Sequence, residues 1–189
     1  MRLFKGEPLA LHLPEGLLHH GASVFTTLRV EGGSPLWLED HLRRLRRHAL
    51  ALGLPYPGDG VFLKDLEALL KAFPHAPCLR VRLAVAEGGW LSEAGPHAPP
   101  PLRLYQEGVR VHLTRYRVHP DLAPFKTGNY LPYRLARKEA EARGAFEGLL
   151  LDASGHVVDG SRTSPLLFRA GALYLLEGCL LYTSPSPRD

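Results

Sequence analysis

Strand-like and helix-like stretches take turns along this chain, and that alternation confines it to folds in which helices cover sheets. Residues 23–30, SVFTTLRV, are rich in β-branched and aromatic side chains, and Gly32-Gly33 followed by SPLWL predicts a hairpin. A helix is expected over 38–53, where Leu38, Leu42, Leu45 and Ala49 recur at helical spacing, acidic residues open the run and Gly53 with Pro55 closes it. A second helix is expected within 61–73. Strands are expected over 78–86, 102–105 and 109–118, with EGGWLSEAGPHAPPP as a loop between the first two. The aperiodic, proline-bearing HPDLAPF at 119–125 then interrupts the pattern. Beyond it come a helix over 129–144, with Glu139 spaced to pair with Arg143, two strands around an Ala-Ser-Gly turn, and a strand pair in LLFRAGALYLL. The expectation is an α/β (α+β) protein of two domains, 1–118 and 126–178, joined by a linker at 119–125. The tail at 179–189, with two Ser-Pro pairs, breaks the pattern and reads as disordered or foreign sequence.

Composition narrows the function. The chain has 189 residues, is 45% hydrophobic and carries a net charge of +4, which suits a globular protein. No apolar run approaches the length of a membrane span, and MRLFKGEPLALHLPEG has a charge and a proline where a signal peptide needs an unbroken apolar segment. These features point to the cytoplasm. The densest basic patch, HLRRLRRH at 41–48, is too small to suggest nucleic acid; it reads as a solvated helix face or as a site for small anions. Cys78 and Cys179 lie far apart and form no Cys-x-x-Cys, so neither a disulfide framework nor a metal site is expected. The many arginines and the 17 prolines fit a heat-adapted protein or a GC-rich genome.

Lys126 sits in FKTGNYL, with no other lysine within ten residues, in a chain that takes most of its positive charge from arginine. A guanidinium cannot lose its proton in a protein, whereas an ammonium can, and only the neutral amine attacks a carbonyl. The Lys-Thr-Gly triplet belongs to no serine β-lactamase set, since its companion motifs are missing, and there is no phosphate loop, dinucleotide glycine pattern or His-Glu-x-x-His. The hairpin that ends in VVDGSRTS would return Asp159 toward the start of the helix after Lys126. A lysine and a carboxylate so placed could serve opposite ends of a pyridoxal-type ring. By spacing alone a plainer reading is open: an isolated lysine is usually a surface residue and Asp-Gly is usually a turn.

Two longer blocks add weight. HHGASVFTTLRVEGGSPLWLEDHLRRLRRHALALGLP, with its Phe-x-x-x-Arg strand and His-x-x-Arg-Leu helix, is similar to the N-terminal block of the class IV (branched-chain type) pyridoxal-phosphate enzymes. FKTGNYLPYRLARKEAEARGAFEGLLLDASGHVVDGSRTS is similar to that family's lysine block and to the acidic block after it. The resemblance implies a two-domain fold-type IV enzyme with pyridoxal 5'-phosphate as cofactor. It implies that Lys126 carries the cofactor, Arg44 binds its phosphate, Asp159 faces the pyridine nitrogen and Tyr130 the phenolate oxygen. The site is expected to be shared within a homodimer.

Within the family, Phe-Thr-Thr-x-Arg and the Lys-x-x-Asn spacing resemble the aminodeoxychorismate lyases, although paired threonines are also ordinary in strands. That resemblance implies release of pyruvate from aminodeoxychorismate to give 4-aminobenzoate for folate synthesis. Lys126 would move the proton on the amine-bearing carbon, and Thr27 would help to deliver one to the leaving group. Arg29 and Arg82 are candidates for the substrate carboxylates. The alternatives are a branched-chain or D-amino-acid aminotransferase, or an inactive fragment that only binds a partner. The chain departs from the family at Asp159, where glutamate is usual, and at Ser164, where asparagine is usual. It also lacks a later Leu-x-Gly-Ile-Thr-Arg segment that helps to hold the phosphate, so weak or no cofactor binding is expected.

Overall fold

The computed structural model describes residues 20–175 together with a small antiparallel pair, β1 (Leu3–Phe4) and β2 (Glu7–Pro8). The N-terminal stretch read against a signal peptide, apart from those strand residues, lies outside the described residues. So do Cys179 and the tail at 179–189.

The first sheet is antiparallel, in the order β4-β3-β5-β6: β3 (Ser23–Glu31), β4 (Ser34–Pro35), β5 (Cys78–Ala86) and β6 (Gly89–Pro96). Alternation along β3 and β5 sends Val24, Leu28, Val30, Leu79, Val81, Leu83 and Val85 to one face, where they form a core. Two helices cover that face. The first, α1 (Leu38–Ala51), contributes Leu42, Leu45 and Ala49, and α2 (Asp59–Ala72) contributes Phe62 and Leu66. Leu45 and Phe62 are each 1% exposed, so truncating either to alanine is of the class that costs about 2–5 kcal/mol.

The second sheet has the order β7-β8-β9. β7 (Val111–Arg117) runs parallel to β8 (Glu147–Leu151), which pairs antiparallel with β9 (Val157–Gly160). Between β7 and β8 the chain forms α4 (Leu131–Ala142), which packs on both strands. Tyr133 and Ala136 of the helix meet Val118, Leu150 and Val158, with Tyr116, Ala123 and Tyr130 at the margin. A separate hairpin of β10 (Leu166–Arg169) and β11 (Ala172–Leu175) follows.

Several local expectations are corrected. Residues 102–105 are not a strand but lie in a short helix, α3 (Leu102–Glu107), because Pro101 presets the entry and the residues after it are good helix formers that pair with no strand among the described residues. Most of the supposed loop after β5 is β6: Glu87-Gly88 turns the chain, and the ladder of β5 overrides the weak strand propensity of the glycines. SPLWL returns for only two residues before Trp37, at φ 49°, turns the chain into α1. Glu139 does not pair with Arg143; it holds His112 at 3.0 Å and Arg115 at 3.7 Å, both across on β7. The i,i+4 pair on α4 is Arg137 with Glu141. β7, which precedes residues 119–125, pairs with β8, which follows them.

Candidate active site

The edge of β3 decides where Lys126 goes. β4 covers only Val30 and Glu31, so the backbone of Ser23–Phe25 is left open on that side. Residues 126–128 fill the gap as an antiparallel strand fragment: Phe25 N–H donates to the Lys126 carbonyl at 2.9 Å, and Gly128 N–H donates to the Ser23 carbonyl at 2.8 Å. Gly128 suits this close approach, because a Cβ there would meet Ser23 Oγ and come within 3.2 Å of the Gly21 carbonyl. Asn129 lies against Gly21, whose φ is 62°.

Held in this way, Lys126 is only 5% exposed. Its Nζ donates to the Tyr130 hydroxyl at 2.8 Å and lies 4.8 Å from the centre of the Phe25 ring. Tyr130 meets Phe25 edge-on and stacks on Tyr133 at 4.3 Å. An amine bounded by a phenol and two aromatic faces is shielded from water and remains within reach of a polar partner.

From the helix layer, α1 presents three buried polar residues. Arg44 Nη2 donates to Thr26 Oγ1 at 2.6 Å, and that hydroxyl lies 2.7 Å from His41 Nδ1. One turn on, His48 is 1% exposed, and its Nδ1 accepts the backbone N–H of Lys126 at 3.1 Å. Burial, together with the Arg47 and Arg44 guanidinium groups and the Lys126 amine, lowers the His48 pKa from 6.5 to about 4. The basic run at 41–48 is thus divided, with Arg43 and Arg46 partnering acids at the surface and Arg44 and His48 turned inward.

Asp159 is 2% exposed at the end of β9, opposite Leu150, and its Oδ1 accepts the Gly160 N–H at 3.0 Å. The aromatic and aliphatic cluster that includes Val158 and Leu150 has Tyr130 at its margin, which links this strand to the lysine segment. The turn after Asp159 is fixed by a residue that the sequence reading missed. Glu147, 3% exposed, accepts hydrogen bonds from the N–H groups of Gly148, Ser161 and Thr163 at 2.8, 2.9 and 3.0 Å, and from the hydroxyls of Ser161 and Thr163. The only trace in the sequence was the pair of hydroxyl residues, Ser161 and Thr163, shortly after Asp159.

Thr27, Arg29 and Arg82 occupy the sheet face turned away from α1, since Thr26 takes the α1 side and side chains alternate. Thr27 and Arg82 are direct cross-strand partners. Arg82 stacks over the Phe25 ring at 3.8 Å; its burial lowers its pKa, opposed by Glu93 and Tyr130. Arg29 is engaged by Glu31 at 3.2 Å. Arg82 therefore shares the Phe25 ring with the Lys126 amine, and Thr27 lies on the same sheet face, whereas Arg44 packs against the opposite face of β3. A cavity of about 300 Å³ adjoins the lysine segment, lined by Thr127, Asn129, Tyr130 and residues of 118–125. Among the described residues no group of histidine, cysteine and acidic side chains is arranged to hold a metal, and no helix is long and apolar enough to cross a membrane.

Residues 23–181 match the sequence pattern of the family described as amino-transferase class IV. A crystal structure of a protein provisionally designated 4-amino-4-deoxychorismate lyase is 77% identical, with a TM-score of 0.91, and covers 95% of this chain and 73% of its own. The 4-amino-4-deoxychorismate lyase of Pseudomonas aeruginosa is 30% identical, with a TM-score of 0.71 over 89% of this chain and 67% of its own. The chloroplastic D-amino-acid transaminase of Arabidopsis thaliana is 29% identical over 82% of this chain and 45% of its own length. The chain spans between 45% and 63% of the lengths of the curated relatives it matches. With the family pattern covering most of its length, this chain belongs to the class IV aminotransferase family, whose members depend on pyridoxal phosphate.

Proposed function

We propose that this chain carries the cofactor-anchoring residues of a 4-amino-4-deoxychorismate lyase. The observation that carries the reading is the buried Lys126 amine, 2.8 Å from the Tyr130 hydroxyl, beside a strand that reads Phe-Thr-Thr-Leu-Arg. The 77% identity to a protein provisionally given that activity supports it.

The residues present fit pyridoxal phosphate. A buried amine suits its aldehyde, a buried guanidinium its phosphate and a buried carboxylate its ring nitrogen, and Lys126, Arg44 and Asp159 are 5%, 5% and 2% exposed. Tyr130 is the partner for the phenolic oxygen. When bound, the cofactor supplies an electron sink for the substrate carbon that bears the amine.

The chain's own groups do the rest. The Lys126 amine takes the proton from that carbon, and the Thr27 hydroxyl delivers one to the departing enolpyruvyl oxygen. The carbon–oxygen bond breaks as the ring becomes aromatic, which yields 4-aminobenzoate and, after tautomerisation, pyruvate. No oxidant or reductant is consumed. Arg82 and Arg29 pair with the substrate carboxylates. The working form is a cytoplasmic homodimer in which a second copy completes the site.

The test is direct. With pyridoxal phosphate in excess, the protein develops the absorbance of a lysine-bound cofactor and releases pyruvate from aminodeoxychorismate with no amino acceptor present. Both properties disappear in Lys126→Ala. Absence of cofactor absorbance in the unaltered chain defeats the reading.

A second reading, an aminotransferase, is favoured by the identity to the D-amino-acid transaminase. In it the same lysine returns the proton to the cofactor. Cofactor absorbance with no pyruvate until a keto acid is added would select it.

A further inference from the structure

We propose that His48 is a positioning residue for Lys126: its Nδ1 anchors the lysine's backbone amide at the open edge of β3, so that the amine comes to rest beside the Tyr130 hydroxyl. The inference deepens the reading of Lys126 as the cofactor-bearing residue and rests on it.

The two residues are 78 positions apart and meet on different elements, α1 and the strand fragment at 126–128. The Lys126 N–H is held by His48 at 3.1 Å and its carbonyl by Phe25 at 2.9 Å. With the backbone held on both sides of its Cα, only the side-chain torsions of Lys126 are left to place Nζ. The Phe125 ring, 5.5 Å away and edge-on, closes the other side of the imidazole.

The bond requires a ring nitrogen without a proton, which puts the neutral ring's hydrogen on Nε2. The charged groups facing the ring all oppose a second proton: Arg44 and Arg47 from its own helix and Lys126 from the segment packed against it. Arg47 Nη2 lies 3.4 Å from Nε2, and with the hydrogen on Nε2 it acts there as a charge and not as a hydrogen-bond partner. A ring 1% exposed among three cations stays neutral near neutral pH and keeps its acceptor. Serine or alanine here would not reach the amide, and leucine would fill the space with no acceptor at all.

The experiment compares the unaltered chain with His48→Leu, which keeps bulk without an acceptor, and His48→Asn, whose amide oxygen can take the place of Nδ1. Two readouts are followed. The first, by nitrogen-15 NMR without cofactor, is hydrogen exchange of the Lys126 amide and its chemical shift as the His48 ring is titrated. The second, with pyridoxal phosphate added, is the pH midpoint of the lysine-bound chromophore.

In His48→Leu the Lys126 amide is expected to exchange roughly tenfold faster and the chromophore midpoint to move, with both largely restored in His48→Asn. In the unaltered chain the amide shift follows the His48 ring through a single acidic transition. The proposal is overturned if the leucine variant leaves amide protection and midpoint unchanged, or if both variants change them only in step with global stability. Should His48→Leu fail to fold, the asparagine variant and the ring titration decide alone: an amide shift that ignores the ring's protonation sinks the proposal. If the amide responds as expected but no chromophore forms in the unaltered chain, the cofactor reading fails while the grip of His48 on Lys126 stands.

Discussion

Two residues set the local geometry that the proposed chemistry needs. Tyr130 is the partner of the Lys126 amine, at 2.8 Å, and is the residue proposed to meet the phenolic oxygen of the cofactor. Tyr130→Phe keeps the ring stack on Tyr133 and removes only the hydroxyl, so it is expected to weaken cofactor binding by about tenfold with little change in stability. An absorbance titration with pyridoxal phosphate, run beside a urea melt, checks both halves of that statement. Glu147 plays a different part, since its carboxylate gathers the turn that follows Asp159. Glu147→Ala leaves the N–H groups of Ser161 and Thr163 without their acceptor. It is expected to cost about 2–4 kcal/mol, read as a lower urea midpoint at unchanged slope. A loss below about 0.5 kcal/mol would mean that the carboxylate does not hold the turn.

At the scale of elements, the shortness of β4 is what allows the lysine segment to dock. A longer return strand would have capped the edge of β3 that now receives residues 126–128. The fit is tight at Gly128, so Gly128→Ala is expected to destabilise the protein and loosen Lys126, as a Cβ would meet Ser23 Oγ and come within 3.2 Å of the Gly21 carbonyl. Adding Ser23→Ala removes the first of these contacts and should recover much of the loss. Urea melts of the two single variants and the double variant test this, and strict additivity would show that the two positions do not touch. Helices were the easier elements to read. Periodicity placed α1, α2 and α4 to within a few residues, because a helix is built from contacts three and four positions apart. β6 was missed because its residues, GWLSEAGP, gain their strand conformation from β5 and not from themselves. α3 was mistaken because Leu-Arg-Leu-Tyr satisfies a period of two and a helix start equally well.

For the molecule as a whole, the buried neutral imidazole of His48 couples folding to pH. Above about pH 6.5 the ring is neutral in both folded and unfolded chains. Between 6.5 and about 4 the unfolded chain takes up a proton that the folded one refuses, so stability falls with pH across that window, by up to about 3 kcal/mol. Below about 4 the folded ring is protonated too and this contribution stops changing. Urea melts at about pH 7 and about pH 4.5 should therefore differ less in His48→Asn than in the unaltered chain; an equal difference would show that another group governs the acid limb.

By itself, the sequence determined the alternation of helices and strands, the residue types that chemistry on a carbonyl would need, and the kinship to pyridoxal-phosphate enzymes, since these depend on local periodicity and on short ordered motifs. It named Lys126, Tyr130, Arg44 and Asp159 by type, without their partners. Only the tertiary structure decided that Lys126 is buried at the edge of β3, that His48 holds its backbone, that Glu147 gathers the turn beyond Asp159, and that Thr27 and Arg44 face opposite sides of one strand. A period fixes which way a side chain points along its own element. What waits there is set by chain as far away as Gly128 is from Ser23, 105 residues, and that pairing follows from packing and hydrogen bonding across the fold, which no local pattern records.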